Sequence, residues 1–263
     1  MSTFATNRCP YCRFSRAWRI RREKRKCKRC RREWSIAKKR FGIRATDLEW
    51  QACVLAFLRE RAARSVSRET GLGYTRTVRM LHQVRLTMQR DTPMKFDGIC
   101  EADETFIGGQ RKNKRLHIRR IKAKRGHGTD KIPIVGVLSR SLGQVRVTVV
   151  PVRCEATVIG FIRSCLGPEA ILYTDAYKMN RAIQKYGVRH EYVDHDSGEY
   201  VRGDIHTNQI EGFWGILKRT LAMIGGIRRD RFPLFIGEIV WRYNYRKLSR
   251  VEQGERILKQ LLH

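Results

Sequence analysis

At 263 residues the chain is long enough for one well-filled core with one or two small modules attached. Its 56 Lys and Arg against 25 Asp and Glu give a formal charge of +31, which opposes compaction and points to a polyanionic partner. No apolar run of the roughly 18 residues needed to cross a membrane appears, and the chain does not open on the apolar core of a secretory signal. These features predict a soluble, intracellular nucleic-acid-binding protein, cytoplasmic and nucleoid-associated in a prokaryote or nuclear in a eukaryote, and argue against a membrane partner.

Three regions separate by composition, with no internal repeat. Residues 1–44 hold 17 basic residues against only Glu23 and Glu33, and contain Cys9-Pro10-Tyr11-Cys12 and Cys27-Lys28-Arg29-Cys30. Each C-x-x-C is a tight knuckle that aims two thiolates at one point, and two knuckles complete a tetrahedral four-thiolate zinc site. A zinc ribbon of this size has almost no core, so the metal is expected to supply its folding energy. The basic residues between the pairs, Arg22 and Arg25 among them, are expected to meet phosphates. Trp18 and Trp34 are expected chiefly to pack the ribbon, with base stacking as the other use of such rings. The remaining cysteines, Cys53, Cys100, Cys154 and Cys165, stand in apolar stretches and read as buried thiols in a reducing compartment.

Residues 45–92 read as a helical module. Leu48, Cys53, Leu55 and Leu58 form an apolar stripe for a supporting helix. A short helix from Ala62, a turn over Gly71-Leu72-Gly73-Tyr74, and a second helix from Thr75 then give the order of a helix-turn-helix. Thr75 is the expected N-cap. Val78, Leu81 and Val84 are expected inside, with Arg76, Arg79 and His82 facing a DNA major groove.

From residue 93 to 263 the pattern becomes a single larger domain. Strands are predicted at Gly98–Ile107, Ile132–Ser139 and Gln144–Pro151, then a helix at Ala156–Leu166 and a strand at Ala170–Ala176. A helix near Tyr177–Tyr186, a strand near Val188–Val193, a helix near Thr207–Met223 and helical sequence after Phe232 complete the order. Three strands followed by α, β, α, β, α predict an α/β fold: a ribonuclease-H-like mixed five-stranded sheet with flanking helices. Between the first two strands, Gln110–Lys131 is basic, with Lys114, Arg115 and Arg119 among its cations, and is expected to clamp DNA.

Three carboxylates stand out in this frame. Asp103 lies mid-strand and Asp175 ends the run Ile171-Leu172-Tyr173-Thr174. Both are poor choices for a strand entering a core unless they hold a cation. The predicted strand neighbours bring the two together. On the helix near Thr207–Met223, Asn208, Glu211, Gly215 and Lys218 share one face, beside an apolar stripe of Ile210, Phe213, Trp214, Leu217 and Leu221. Lys218 is placed to reach a phosphate. Gly212 and Gly215 each cost about 1 kcal/mol of helix propensity, which suggests a close approach there. Oxygen ligands without a His/Cys cluster favour two Mg²⁺ or Mn²⁺ ions. Glu101 shares the face of Asp103 and is a reserve ligand; Glu104 points the other way. His206 is either a substrate contact or a plain loop residue.

Asp103-Glu104-Thr105-Phe106-Ile107-Gly108-Gly109 with Asn113, Thr174-Asp175-Ala176-Tyr177, His206 to Arg219 and Trp241 to Arg246 together resemble the DDE-type insertion-sequence transposases of the zinc-ribbon, Merlin-like branch. With the ribbon and helical module the resemblance spans nearly the whole chain. It implies binding of terminal inverted repeats and target DNA as double strands, metal-dependent cleavage by water, and strand transfer by the released 3′-hydroxyl, in a homodimer or larger assembly. It also leaves two readings of the third catalytic residue, Glu211 and Asn208, with Glu211 favoured because a carboxylate holds Mg²⁺ better than an amide does. Three rivals stand beside it. A DNA-binding regulator without catalysis explains only the first 90 residues, a ribonuclease-H-like nuclease shares the metal chemistry without strand joining, and a domesticated transposase has the same sequence features.

Overall fold

The computed structural model describes residues 8–20, 24–59, 62–108, 116, 131–150, 155–174, 183, 187–192 and 206–262. By internal contacts the chain forms two units, Met1–Met88 with Tyr245–His263, and Gln89–Asn244.

The first unit begins with short antiparallel strands: β1 (Ala17–Arg19), β2 (Lys24–Cys27) and β3 (Glu33–Ser35) in one sheet, then β4 (Lys38–Arg40) paired with β5 (Ile43–Ala45). Strands of three or four residues bury little, and among the described residues up to 45 only Cys9, Cys27, Ile43 and Ala45 are buried and apolar. Trp18 is not part of that core. It is 38% exposed, with Lys28 Nζ 5.6 Å and the Arg31 guanidinium 4.7 Å from its ring centre. A rim of cations therefore takes the ring that packing was expected to take.

Helix α1 (Asp47–Arg59) opens on a reciprocal cap: Thr46 N donates to Glu49 Oε2 at 2.8 Å, and Glu49 N donates to Thr46 Oγ1 at 3.1 Å. Its inward face carries Trp50, Cys53, Val54, Phe57 and Leu58, while Leu48 is 66% exposed. The predicted stripe is thus rotated: Leu48 leaves it and two aromatics join. Helix α2 (Ala63–Thr70) ends at Gly71, whose φ of +68° is the left-handed conformation glycine adopts without strain. Helix α3 (Tyr74–Arg90) starts one residue early, and Gly73 O, not Thr75, accepts from both Thr77 N and Thr77 Oγ1. The buried face carries Thr77, Met80, Leu81 and Val84, and Val78 is half-buried. The last helix, α7 (Arg250–Leu262), was expected with the large domain but packs in this unit against α1, where a Cβ on Gly254 would lie 2.9 Å from Leu55 Cδ2.

The second unit is a five-stranded sheet in the order β10-β9-β6-β7-β8. Its strands are β6 (Phe96–Ile107), β7 (Ile132–Ser139), β8 (Gln144–Val149), β9 (Leu166–Thr174) and β10 (Arg189–Tyr192). The first three form an antiparallel meander, and β9 and β10 then add in parallel on the far side of β6. Helix α4 (Glu155–Cys165) connects β8 to β9, as a crossover between the two sides requires. This order, with β6 central and mixed pairing, is the ribonuclease-H-like fold that the element order predicts.

Side-chain alternation divides the sheet cleanly. Cys100, Ala102, Val135, Val137, Ala170 and Leu172 face a core with Val158, Ile159 and Ile162 of α4. On the opposite face Ile107, Ile134 and Leu138 pack with α5 (Asn208–Ile224) and α6 (Phe232–Asn244) through Ile210, Phe213, Trp214, Leu217, Ile236 and Ile239. The buried thiols match expectation: burial pushes Cys53 and Cys100 up to about 12 and Cys165 up to about 11. At the edge of the sheet, Asn244 Oδ1 accepts from Val145 N at 2.8 Å and Asn244 Nδ2 donates to Val145 O at 2.9 Å. Cys154 and the helix predicted near Tyr177–Tyr186 lie outside the described residues, save position 183.

Candidate functional site

Two groups of chemistry-bearing side chains emerge, one in each unit. In the first, the Sγ atoms of Cys9, Cys12, Cys27 and Cys30 all lie within 4.8 Å of one another. Cys9–Cys30 and Cys12–Cys27 are each 3.5 Å apart. Zn–S bonds of about 2.3 Å in a tetrahedron imply sulfur–sulfur separations of about 3.8 Å, so the donor set and its spacing fit zinc. The backbone N–H groups of Arg29 and Cys30 donate to Cys27 Sγ at 3.3 and 3.4 Å, which fixes the second knuckle. Burial alone would raise the Cys27 thiol, but the N–H donors of Cys30 and Arg29 with the Cys12 and Cys30 thiols outweigh it and bring it to about 6. At Cys30 the Arg32 N–H works downward, yet burial and the thiols of Cys9, Cys12 and Cys27 push it up to about 12. Four thiols sharing so small a volume cannot all ionise without a cation among them.

In the second unit the odd-numbered residues of β6 face α5. Glu101 is 0% exposed and ion-paired in the interior: Oε1 accepts from Arg140 Nε at 2.6 Å and Oε2 accepts from Ile210 N at 2.9 Å. Arg140 continues to His206, with Nη2 2.8 Å from Nδ1 and 2.7 Å from the carbonyl oxygen, and its guanidinium lies 5.0 Å from the Tyr173 ring centre. Arg140 can only donate, so the His206 nitrogen facing it accepts. The reserve role given to Glu101 is therefore corrected: it is a buried strut that seats the first turn of α5. His206 belongs to the same strut. Nothing in the sequence pairs Arg140 with Glu101, 39 positions away.

Asp103, two residues on, is half-buried. Its Oδ1 accepts from Glu104 N at 2.6 Å and its Oδ2 from Trp214 Nε1 at 2.9 Å. Across the ladder Asp103 pairs with Gly136 of β7. On α5, Asn208, Glu211 and Lys218 are exposed and Gly215 half-exposed, so the polar face lies open as its phasing predicts. Thr207 Oγ1 donates to Glu211 Oε1 at 3.1 Å. Gly212 and Gly215 do not mark a close approach: a Cβ on Gly212 meets nothing within 4 Å, and on Gly215 only Arg219 Nη1 at 3.9 Å. The close approach is at Gly136, where a Cβ would stand 2.6 Å from Trp214 Cη2. Asp175, the residue after β9, lies outside the described residues, as do Arg22, Lys114, Arg115 and Arg119.

Of the cations expected on a DNA-facing surface, Arg25 is half-buried on β2 and Arg79 is exposed, with Nη2 donating to Gly42 O at 3.3 Å. Arg76 turns inward instead. Its Nη2 lies 2.6 Å from Glu49 Oε2, the same oxygen that caps α1.

The sequence profile of the ISXO2-like transposase domain matches residues 95–244, more than half the chain and almost the whole second unit. The chain belongs to this transposase family. A transposase-like protein of Haemophilus influenzae is 31% identical over 119 residues, covering 45% of this chain and 94% of that protein. A protein of transposable element ISH50 in Halobacterium salinarum is 25% identical over 223 residues, covering 81% of this chain and 74% of its own. Among solved structures, the HTLV-2 integrase catalytic core domain in complex with magnesium aligns at 11% identity and TM-score 0.33, over 56% of this chain and 85% of that one. The simian T-cell lymphotropic virus intasome aligns at 12% identity and TM-score 0.35, over 73% and 67%. Scores this low leave the fold assignment of this transposase-family chain to its strand order.

Proposed function

We propose that this chain is a DNA transposase that binds terminal inverted repeats and carries out metal-dependent strand cleavage and strand transfer. The observation that carries the reading is Asp103. A carboxylate stands midway along the central strand, on the face where α5 docks, bonded to Trp214 three residues after the exposed Glu211 of that helix. Sheet centres do not otherwise favour a half-buried acid.

Asp103, Asp175 and Glu211 are the residues that would hold Mg²⁺ or Mn²⁺, with Asn208 as the alternative third donor. All are hard oxygen donors, as such ions require. Two bound ions supply activation of the attacking water or 3′-hydroxyl and stabilisation of the leaving oxygen. The chain itself holds Asp103 in a fixed orientation and presents Glu211 on a helix whose first turn is tied to β6 through Glu101. Lys218, two turns further along the exposed face of α5, takes a non-bridging phosphate oxygen. The helices α2 and α3 form a helix-turn-helix with Arg79 towards DNA, while the zinc ribbon, with Arg25 and the cations around Trp18, grips the backbone. The family's work on two DNA ends makes a homodimer or larger complex the working form.

The test uses DNA carrying the element's own ends. Asp103→Ala, Asp175→Ala and Glu211→Gln each abolish cleavage and joining while end binding stays within about three-fold. Full activity in Glu211→Gln together with loss in Asn208→Ala moves the third role to Asn208. Cleavage surviving in Asp103→Ala overturns the reading.

A further inference from the structure

We propose that Trp214 is a positioning residue for Asp103, its indole N–H holding the carboxylate in the orientation that binds the catalytic ion. This rests on the reading of Asp103 as a metal ligand.

Both Asp103 oxygens are engaged from fixed directions. Oδ1 takes the Glu104 backbone N–H at 2.6 Å and Oδ2 takes the Trp214 indole at 2.9 Å. Rotating the carboxylate about its last bond would break at least one of these. An ionised carboxylate has about four lone-pair sites, and these two donors restrict the directions from which a cation can approach it. A buried indole needs an acceptor, but a backbone carbonyl would satisfy it without drawing on a candidate ligand.

The sheet yields space for this contact. Gly136 is the ladder partner of Asp103, and a Cβ there would lie 2.6 Å from Trp214 Cη2, 2.9 Å from Cζ2 and 3.2 Å from Ile210 Cδ1. Glycine inside a strand weakens it, so the absence of a side chain calls for a reason, and the reason is the ring lying across it. Trp214 is itself 4% exposed, its ring 5.2 Å from that of Phe213. Packing alone would accept a phenylalanine. Among the described residues the added N–H reaches Asp103. Because Glu211 stands three residues earlier on α5, one hydrogen bond links the orientation of the strand carboxylate to the seat of the helix carrying the proposed third ligand.

The experiment is Mn²⁺ titration of the full chain, free ion being read by electron paramagnetic resonance, for wild type, Trp214→Phe, Gly136→Ala and Asp103→Asn. Donors behind a metal ligand are typically worth 10–100-fold in affinity, so Trp214→Phe and Gly136→Ala should weaken Mn²⁺ binding by about 10-fold. Asp103→Asn should lose that site. If Asp103→Asn binds as wild type, the ligand reading falls and the inference with it. If Asp103→Asn loses binding while Trp214→Phe keeps wild-type affinity, only the inference falls. A second measurement does not depend on the Trp214 and Gly136 variants folding. In ¹⁵N-tryptophan-labelled wild type, one of the five indole N–H resonances should move on adding Mg²⁺ and on making Asp103→Asn. No movement in either case overturns the proposal.

Discussion

The cysteine cluster and the sheet face that carries Asp103 are built by opposite routes. Cys9, Cys12, Cys27 and Cys30 come from two short knuckles within 22 residues, and almost no apolar core surrounds them. The Asp103 face is built from β6, β7 and α5, with hydrogen bonds closing over 109 and 111 positions between Glu101 and Ile210 and between Asp103 and Trp214. The first arrangement has little besides its thiols to hold its shape. The second is held by packing and hydrogen bonds. The contrast says that metal removal and core mutation should strike different units.

The largest effect follows from taking away zinc. Apparent zinc-binding energies in small ribbons are about 10–16 kcal/mol, more than strands of three residues can replace. Chelation, or Cys27→Ser, should abolish amide-exchange protection across residues 8–45 and leave β6, β7 and β9 protected. Protection persisting in β2 after the metal is gone would erase the contrast.

Glu101→Ala should act the other way, on the second unit alone. It removes the acceptor of Arg140 Nε and of the Ile210 N–H in a buried site, a change that typically costs about 3–5 kcal/mol. A shift of that order in the urea midpoint of the second unit, with Zn²⁺ content unchanged, is the expected result. Asn244→Ala should cost less, about 2 kcal/mol, since two backbone groups of Val145 lose their partners but water can reach an edge strand. Differential scanning calorimetry can read that difference.

A further effect is one of pH. His190 Nε2 lies 2.9 Å from Thr174 Oγ1, and its Nδ1 is buried without a hydrogen-bond partner among the described residues. Burial brings this imidazole down from 6.5 to about 4. The unfolded chain therefore takes up a proton that the folded one refuses. The contribution is fully present above about 6.5 and is lost as pH falls towards 4. Unfolding midpoints of wild type and His190→Gln should differ in slope across that window, and parallel slopes would remove His190 from the account.

Much of this was legible in the residues because it is local or periodic. The cysteine spacing states the cluster outright, and the alternation in β6 and the order of elements state the sheet. The bounds Ile132–Ser139 of β7 coincide with the sequence reading. What could not be read depends on partners distant in sequence. Trp214 looks like one more apolar residue until Gly136 is beside it, and Glu101 looks like a spare ligand until Arg140 closes on it. Arg76 follows the helical phase of a DNA-facing residue, but the second lone pair of a capping glutamate outbid solvent for it. At Leu48 the hydrophobic count misled, since Trp50 and Phe57 fill the space with more area from a different angle.

The pairing of Asn244 with Val145 also bears on how copies of this chain can meet. β8 is the outer strand on its side of the sheet, and such a margin invites a strand from a neighbouring molecule to zip on. At Val145 both backbone groups that an incoming strand would claim are already taken by a side-chain amide. A continuous intermolecular sheet across this margin would have to evict Asn244 first. The side-chain amide thus closes that position of the margin to strand exchange.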